Sequence, residues 1–250
     1  MYKQSVMSET LLISEKLNQA WKKVDDLFLP NNSWLTNRGK CQILQRKLSY
    51  FNADHKDHPK HIDQVYQFLS RGVNLTQAAI DWEEPAICSS PHTETGKLRG
   101  VQWRLVIAYS GFEITTRALI NDFKNRRLKL RVLKLMMDKC DLPPYSPLHP
   151  PISEHHHTIE KWLSREDKAI AQFLGLGGED AQVIKHWMSE LSPIQKWKDA
   201  FNLAKAFRNT ITHGFLVPSQ VQDWKLEPSL NLLTENLAEI IVAALEKLES

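Results

Sequence analysis

Apolar residues along the chain recur mostly at steps of three and four, and runs that alternate every second residue are scarce. The pattern is therefore helical. In "SETLLISEKLNQAWKKVDDLF", Leu12, Leu17, Trp21, Val24 and Phe28 fall on helix-like spacings, Ser8 or Thr10 offers a cap, and Pro30 follows the end. "GKCQILQRKLSYF" reads as a second helix, and "HIDQVYQFLSRGVNLTQAAIDW" as a third with a break at Gly72. "EEPAICSSPHTETGKLRG" gathers Pro, Ser, Thr and Gly with few large apolar residues, which predicts a loop. A long helical stretch begins at Val101, with Gly111 as a candidate kink and two pieces as the alternative. Prolines in "DLPPYSPLHPPISEHHH" exclude a helix there. "TIEKWLSREDKAIAQFLGLGG" reads as a helix stopped by glycines, with "GLGGED" as its closing turn. "SPIQKWKDAFNLAKAFRNTITHG" reads as a helix capped by Ser192 with Pro193 at its first position. "PSLNLLTENLAEIIVAALEKLES" closes the chain with a broad apolar face. The expectation is an all-α protein.

Composition narrows this. The 250 residues are 42% hydrophobic and 24% charged, enough to build a core. A formal charge of +3 does not mark a nucleic-acid binder, so any such role has to rest on local patches. Cys41, Cys88 and Cys140 are far apart, odd in number and lack a CxxC pair, which points to reduced thiols in a cytoplasmic protein. The first residues carry no secretory pattern, and no charge-free apolar stretch is long enough to span a bilayer, so no membrane partner is expected.

The stretch with chemical content is "AFRNTITHGF". Ile194, Trp197, Phe201, Ala204, Arg208 and Ile211 fall on one helical stripe, so Arg208 takes a place that the pattern assigns to an apolar residue. A guanidinium there needs a carboxylate, another subunit or an anionic ligand. An internal ion pair is the plainer of these. His213 follows, and Gly214 is a candidate left-handed cap that would end the helix at the imidazole. Asn209 has two readings of equal weight, one as a helix-end hydrogen bond and one as a group that orients the imidazole or meets phosphate.

"RNTITHG" resembles the Arg-polar-x3-His signature of HEPN domains (higher eukaryotes and prokaryotes nucleotide-binding). The order of elements is similar too: an earlier helix with an acidic residue, "AYSGFEITTRALI", then the motif helix, then an apolar terminal helix. The resemblance implies a HEPN-type helical bundle over residues 98–250, with residues 1–84 as a helical N-terminal extension. It also implies a homodimer whose motif helices face each other. Many members are metal-independent endoribonucleases of toxin–antitoxin, abortive-infection (phage defence) or RNA-processing systems. Others bind RNA or protein without cutting. On this resemblance Arg208 and His213 are the catalytic pair and Asn209 the polar position, no cofactor or metal is required, and RNA and an antitoxin or other protein are the expected partners. Glu113 is a candidate support for Arg208, against a simpler pairing with Arg117 on its own helix.

"KNRRLKLRVLKLMMDK" concentrates Lys124, Arg126, Arg127, Lys129, Arg131 and Lys134, the best candidate for a surface that tracks phosphates; a solvated basic face is the alternative. "DHKDHPKH" brings His55, His58 and His61 together with Asp54 and Asp57 and reads as a polar loop rather than a metal site. His155, His156 and His157 do not project to one point. Trp103, Trp162, Trp187 and Trp197 fall mostly at amphipathic positions and are assigned to the core rather than to base-stacking platforms.

Overall fold

A computed structural model of the chain describes residues 2–30, 33–82, 94–124, 130–151, 157, 178–189 and 191–250. Among these residues the secondary structure is helical, with one isolated antiparallel bridge between Leu148 and Ile194. The helices are α1 (Tyr2–Phe28), a 3-10 turn (Ser33–Leu35), α2 (Arg38–Leu48), α3 (Pro59–Ile80), α4 (Glu94–Leu119), α5 (Leu130–Met137), α6 (Gly178–Ser189), α7 (Trp197–Thr212), α8 (Pro218–Asp223) and α9 (Glu227–Glu249). No helix among the described residues is long and apolar enough to cross a membrane.

The chain forms two compact units. One contains residues 1–81, 110–143 and 237–250; the other contains 82–109 and 144–236. Helix α4 contributes to both, as does α9.

In the first unit α1 packs on α3. Trp21 stacks on Tyr66 at 6.1 Å, and the Tyr66 hydroxyl donates to Asp25 at 2.7 Å. Leu17, Val24 and Phe28 are buried as the spacing predicts. Leu12 is not: it is 52% exposed, and its neighbour Ile13 faces the core instead. The helix also runs through Ser8 and Thr10, so neither is its cap.

Gly72 does not break α3 and Gly111 does not divide α4; both lie inside continuous helix. A Cβ at Gly111 would stand 2.7 Å from the Gly72 carbonyl oxygen and 2.9 Å from the Thr76 nitrogen. The two glycines let the backbones of α3 and α4 approach more closely than any side chain allows. The long stretch from Val101 does divide, at Ile120–Lys124, where Asn121 adopts φ 58°. Cys41 and Cys140 are free thiols, and Cys88 lies outside the described residues.

The second unit is built around α7. Ala200, Phe201, Leu203, Ala204, Ala206, Phe207 and Thr210 are all buried, so the helix is covered on most of its circumference. Ser192 and Pro193 do not start it. Its N-cap is Lys196, because Ile194 is drawn into the bridge with Leu148. The Trp187 indole N–H donates to the Leu148 carbonyl at 3.2 Å, and its ring meets Phe207 edge-on at 5.9 Å. The helix expected from Thr158 to Gly177 lies outside the described residues, but Gly178, Glu179 and Asp180 open α6 rather than close a turn.

Candidate functional site

Helix α7 ends as its glycine predicts. Gly214 sits at φ 76°, its N–H bonds the Ile211 carbonyl at 3.0 Å, and the Phe215 N–H reaches back to Thr210 at 2.8 Å. These reversed bonds satisfy carbonyls that the last turn would otherwise leave open. His213 is the C-cap, with its backbone N–H on the Asn209 carbonyl at 3.1 Å and its side chain exposed.

Arg208 is half-buried in the last full turn before that cap. Its guanidinium lies over the Tyr109 ring, 5.3 Å from the centroid, and Tyr109 stacks on Phe201 at 5.7 Å. A delocalised cation on an aromatic face keeps part of its interaction energy while giving up water. Arg208 Nη1 also donates to Asn209 Oδ1 at 2.9 Å.

Asn209 hands this arrangement on. Its Nδ2 donates to Asp180 Oδ2 at 2.7 Å, while the other carboxylate oxygen of Asp180 accepts from Lys205 Nζ at 2.8 Å. The carboxylate accepts only and the guanidinium donates only, so the Asn209 amide has one sensible orientation. Asp180 is 5% exposed, and its two bonds, one of them to a cation, keep that burial affordable. Its place in the first turn of α6 adds a favourable helix dipole. The result is a chain of bonds, Lys205 to Asp180, Asn209 to Asp180, Arg208 to Asn209, that links the start of α6 to the end of α7. The Asn209 side chain thus bridges a cation and an anion.

Asp180 is the residue that the sequence reading missed. The signal was present: two glycines, then Glu-Asp, then the apolar spacing of "AQVIKHWM", which is how a helix begins. A cavity of about 490 Å³ lies along the same pair of helices but toward the other end of α7, lined by His186, Ser192, Lys196, Asp199 and Asn202, and it does not include Arg208 or His213.

Glu113 lies on the part of α4 that belongs to the first unit. Arg131 is exposed and Lys134 half-buried on α5, whose Leu133, Met136 and Met137 face inward; Arg126, Arg127 and Lys129 lie outside the described residues. The stretch 54–58 is a polar loop as expected, but His55 turns from it into the core: its Nε2 is 2.8 Å from the Leu119 carbonyl and its Nδ1 is 3.0 Å from His61 Nε2. His155, His156 and Trp162 lie outside the described residues.

Compared with protein-family models, with curated proteins and with solved structures, the chain matches none.

Proposed function

We infer that residues 98–250 act as a HEPN-like domain and that the chain is a metal-independent endoribonuclease working as a homodimer. One observation carries this reading. A guanidinium held over an aromatic ring and fixed by a hydrogen-bonded amide lies five residues before an exposed imidazole that caps the same helix. A planar fork of N–H donors matches two phosphate oxygens, and an accessible imidazole has one nitrogen that accepts a proton and one that donates.

RNA brings its own nucleophile. The neutral imidazole of one subunit takes the proton of a ribose 2′-OH, and the 2′-oxygen bonds phosphorus. The P–O5′ bond breaks, and the imidazolium of the other subunit gives its proton to the departing 5′-oxygen. Arg208 from each subunit offsets the charge that builds on the phosphate. The products carry a 2′,3′-cyclic phosphate and a 5′-hydroxyl.

The bonds around Arg208 favour a second reading as well, because they hold the guanidinium whether or not RNA arrives. A non-catalytic module that binds RNA or a protein such as an antitoxin would use the same arrangement. Labelled RNA incubated with the protein in EDTA separates the two. Cyclic-phosphate ends that vanish in Arg208→Ala and in His213→Ala support the enzyme. RNA left intact by wild type, or cut equally by both variants, leaves only the binding module.

A further inference from the structure

Trp103 departs from its expected place in the core: it is 47% exposed. Across the part of α4 in the second unit, Leu98, Leu105 and Tyr109 are buried, while Thr95, Arg99 and Trp103 form an exposed stripe four residues apart that continues to half-buried Ile107. Arg99 and Trp103 are therefore neighbours on one helix face. One turn before Trp103, a Cβ on Gly100 would stand 3.3 Å from Trp82 Nε1, so the bare glycine lets a second indole lie against the helix.

The position of this stripe is informative. Gln102, next to Trp103, is buried and donates to the Leu216 carbonyl at 2.7 Å, which ties α4 to the segment leaving His213 and Gly214. Tyr109, which carries Arg208, is on the same helix, on the order of 9 Å further along its axis. Between Glu94 and Tyr109 the cations Lys97, Arg99 and Arg104 stand against a single acid, Glu94. Lys97 pairs with Glu94 at 3.7 Å, and Arg104 bonds Asn231 at 3.1 Å.

We propose that the Arg99–Trp103 stripe of α4 is a stacking platform for an unpaired base of single-stranded RNA. Its place along the strand, beside the nucleotide whose phosphate Arg208 would hold, rests on the ribonuclease reading; the platform itself does not. An exposed indole forgoes burial, and a flat π surface next to a guanidinium suits a planar base with a phosphate beside it. A duplex keeps its base faces stacked inside, so the strand has to be single.

The test is binding of 2′-O-methyl hexaadenylate, which has bases and phosphates but no free 2′-OH, against an abasic oligomer of the same length. Wild type should prefer the oligomer with bases by about 5- to 150-fold, the range of one stacked base. Trp103→Ala should remove that preference and Trp103→Phe should restore most of it. Arg99→Ala should weaken both oligomers alike and flatten the salt dependence. Equal preference in wild type and Trp103→Ala overturns the platform. So does a Trp103→Ala protein that keeps the preference but turns from dimer to monomer in sedimentation, since the indole would then be an interface between copies. Base-dependent binding by a protein that cuts no RNA in EDTA upholds the platform and removes the ribonuclease; cleavage unaffected in Trp103→Ala, with the preference unchanged, does the reverse.

Discussion

His55 and His213 show how burial divides two histidines, one that the sequence places in a polar loop and one in a motif at a helix end. His55, between α2 and α3, is 3% exposed, and both of its ring nitrogens are engaged within the first unit. The Leu119 carbonyl can only accept, so the proton of His55 sits on Nε2, and Nδ1 accepts from His61 Nε2–H. Burial pushes the titration of His55 down, against the Leu119 carbonyl and Asp54, which favour the charged form. His213 stands exposed at the end of α7, five residues after Arg208. One ring fastens a loop, and the other is exposed to solvent. The sequence reads the first region as a polar loop and the second as a motif at a helix end; burial takes one ring into the core and leaves the other exposed.

The sharpest way to break this contrast is to remove each ring. His213→Ala should lower RNA cleavage by at least about 100-fold, the low end of what general acid–base groups contribute, with unfolding changed by less than about 0.5 kcal/mol. His55→Ala should do the opposite. Losing a buried ring and stranding the Leu119 carbonyl should cost about 3 kcal/mol, with cleavage per folded molecule close to wild type. Denaturant unfolding and RNA cleavage measured on both variants check the pair. A His213 variant that unfolds more readily than the His55 variant would reverse the assignment of roles.

The same contrast explains what was legible in the sequence. Local period located most helices, and the burial of Phe201 and Ala204 follows from it. The glycine cap was legible because it depends on residues within two turns of itself. Partners distant in sequence were not. Gly72 and Gly111 looked like breaks because nothing local reveals that each is the other's contact. Ile194 looked helical until Leu148 claimed it. Arg208 announced itself as an unusual cation, but Asp180, which anchors Asn209 beside it, comes from another helix.

A second prediction uses pH to sharpen the structural side of the comparison. Burial first, then His55, Lys56 and His58, lower the His61 pKa from 6.5 to about 4. In the unfolded chain the ring returns to its ordinary value, so on acidification the unfolded state takes up the proton first. The stabilising contribution of the neutral ring is therefore complete above about pH 6.5 and is lost as pH falls toward about 4. The ring is only half-buried, and with solvent screening the loss should be about 1 kcal/mol. His61→Gln keeps an N–H for His55 Nδ1 and does not titrate, so its stability should fall less than that of wild type over this window. Parallel curves for the two proteins would mean that the pair does not hold the loop in its neutral form.

A further variant at Gly214 probes how His213 is presented. At φ 76° an alanine is strained, yet its Cβ would meet nothing within 4 Å, so the cost is conformational and not steric. Gly214→Ala should lower stability by about 1 kcal/mol, and Gly214→Asn by less, because asparagine tolerates the left-handed region. Cleavage is the more sensitive readout. If the cap aims the imidazole, the alanine protein should lose activity well beyond its lost stability, with the asparagine protein in between. An alanine protein that keeps wild-type cleavage at reduced stability would assign the cap to ending the helix and leave the aim of His213 to other contacts.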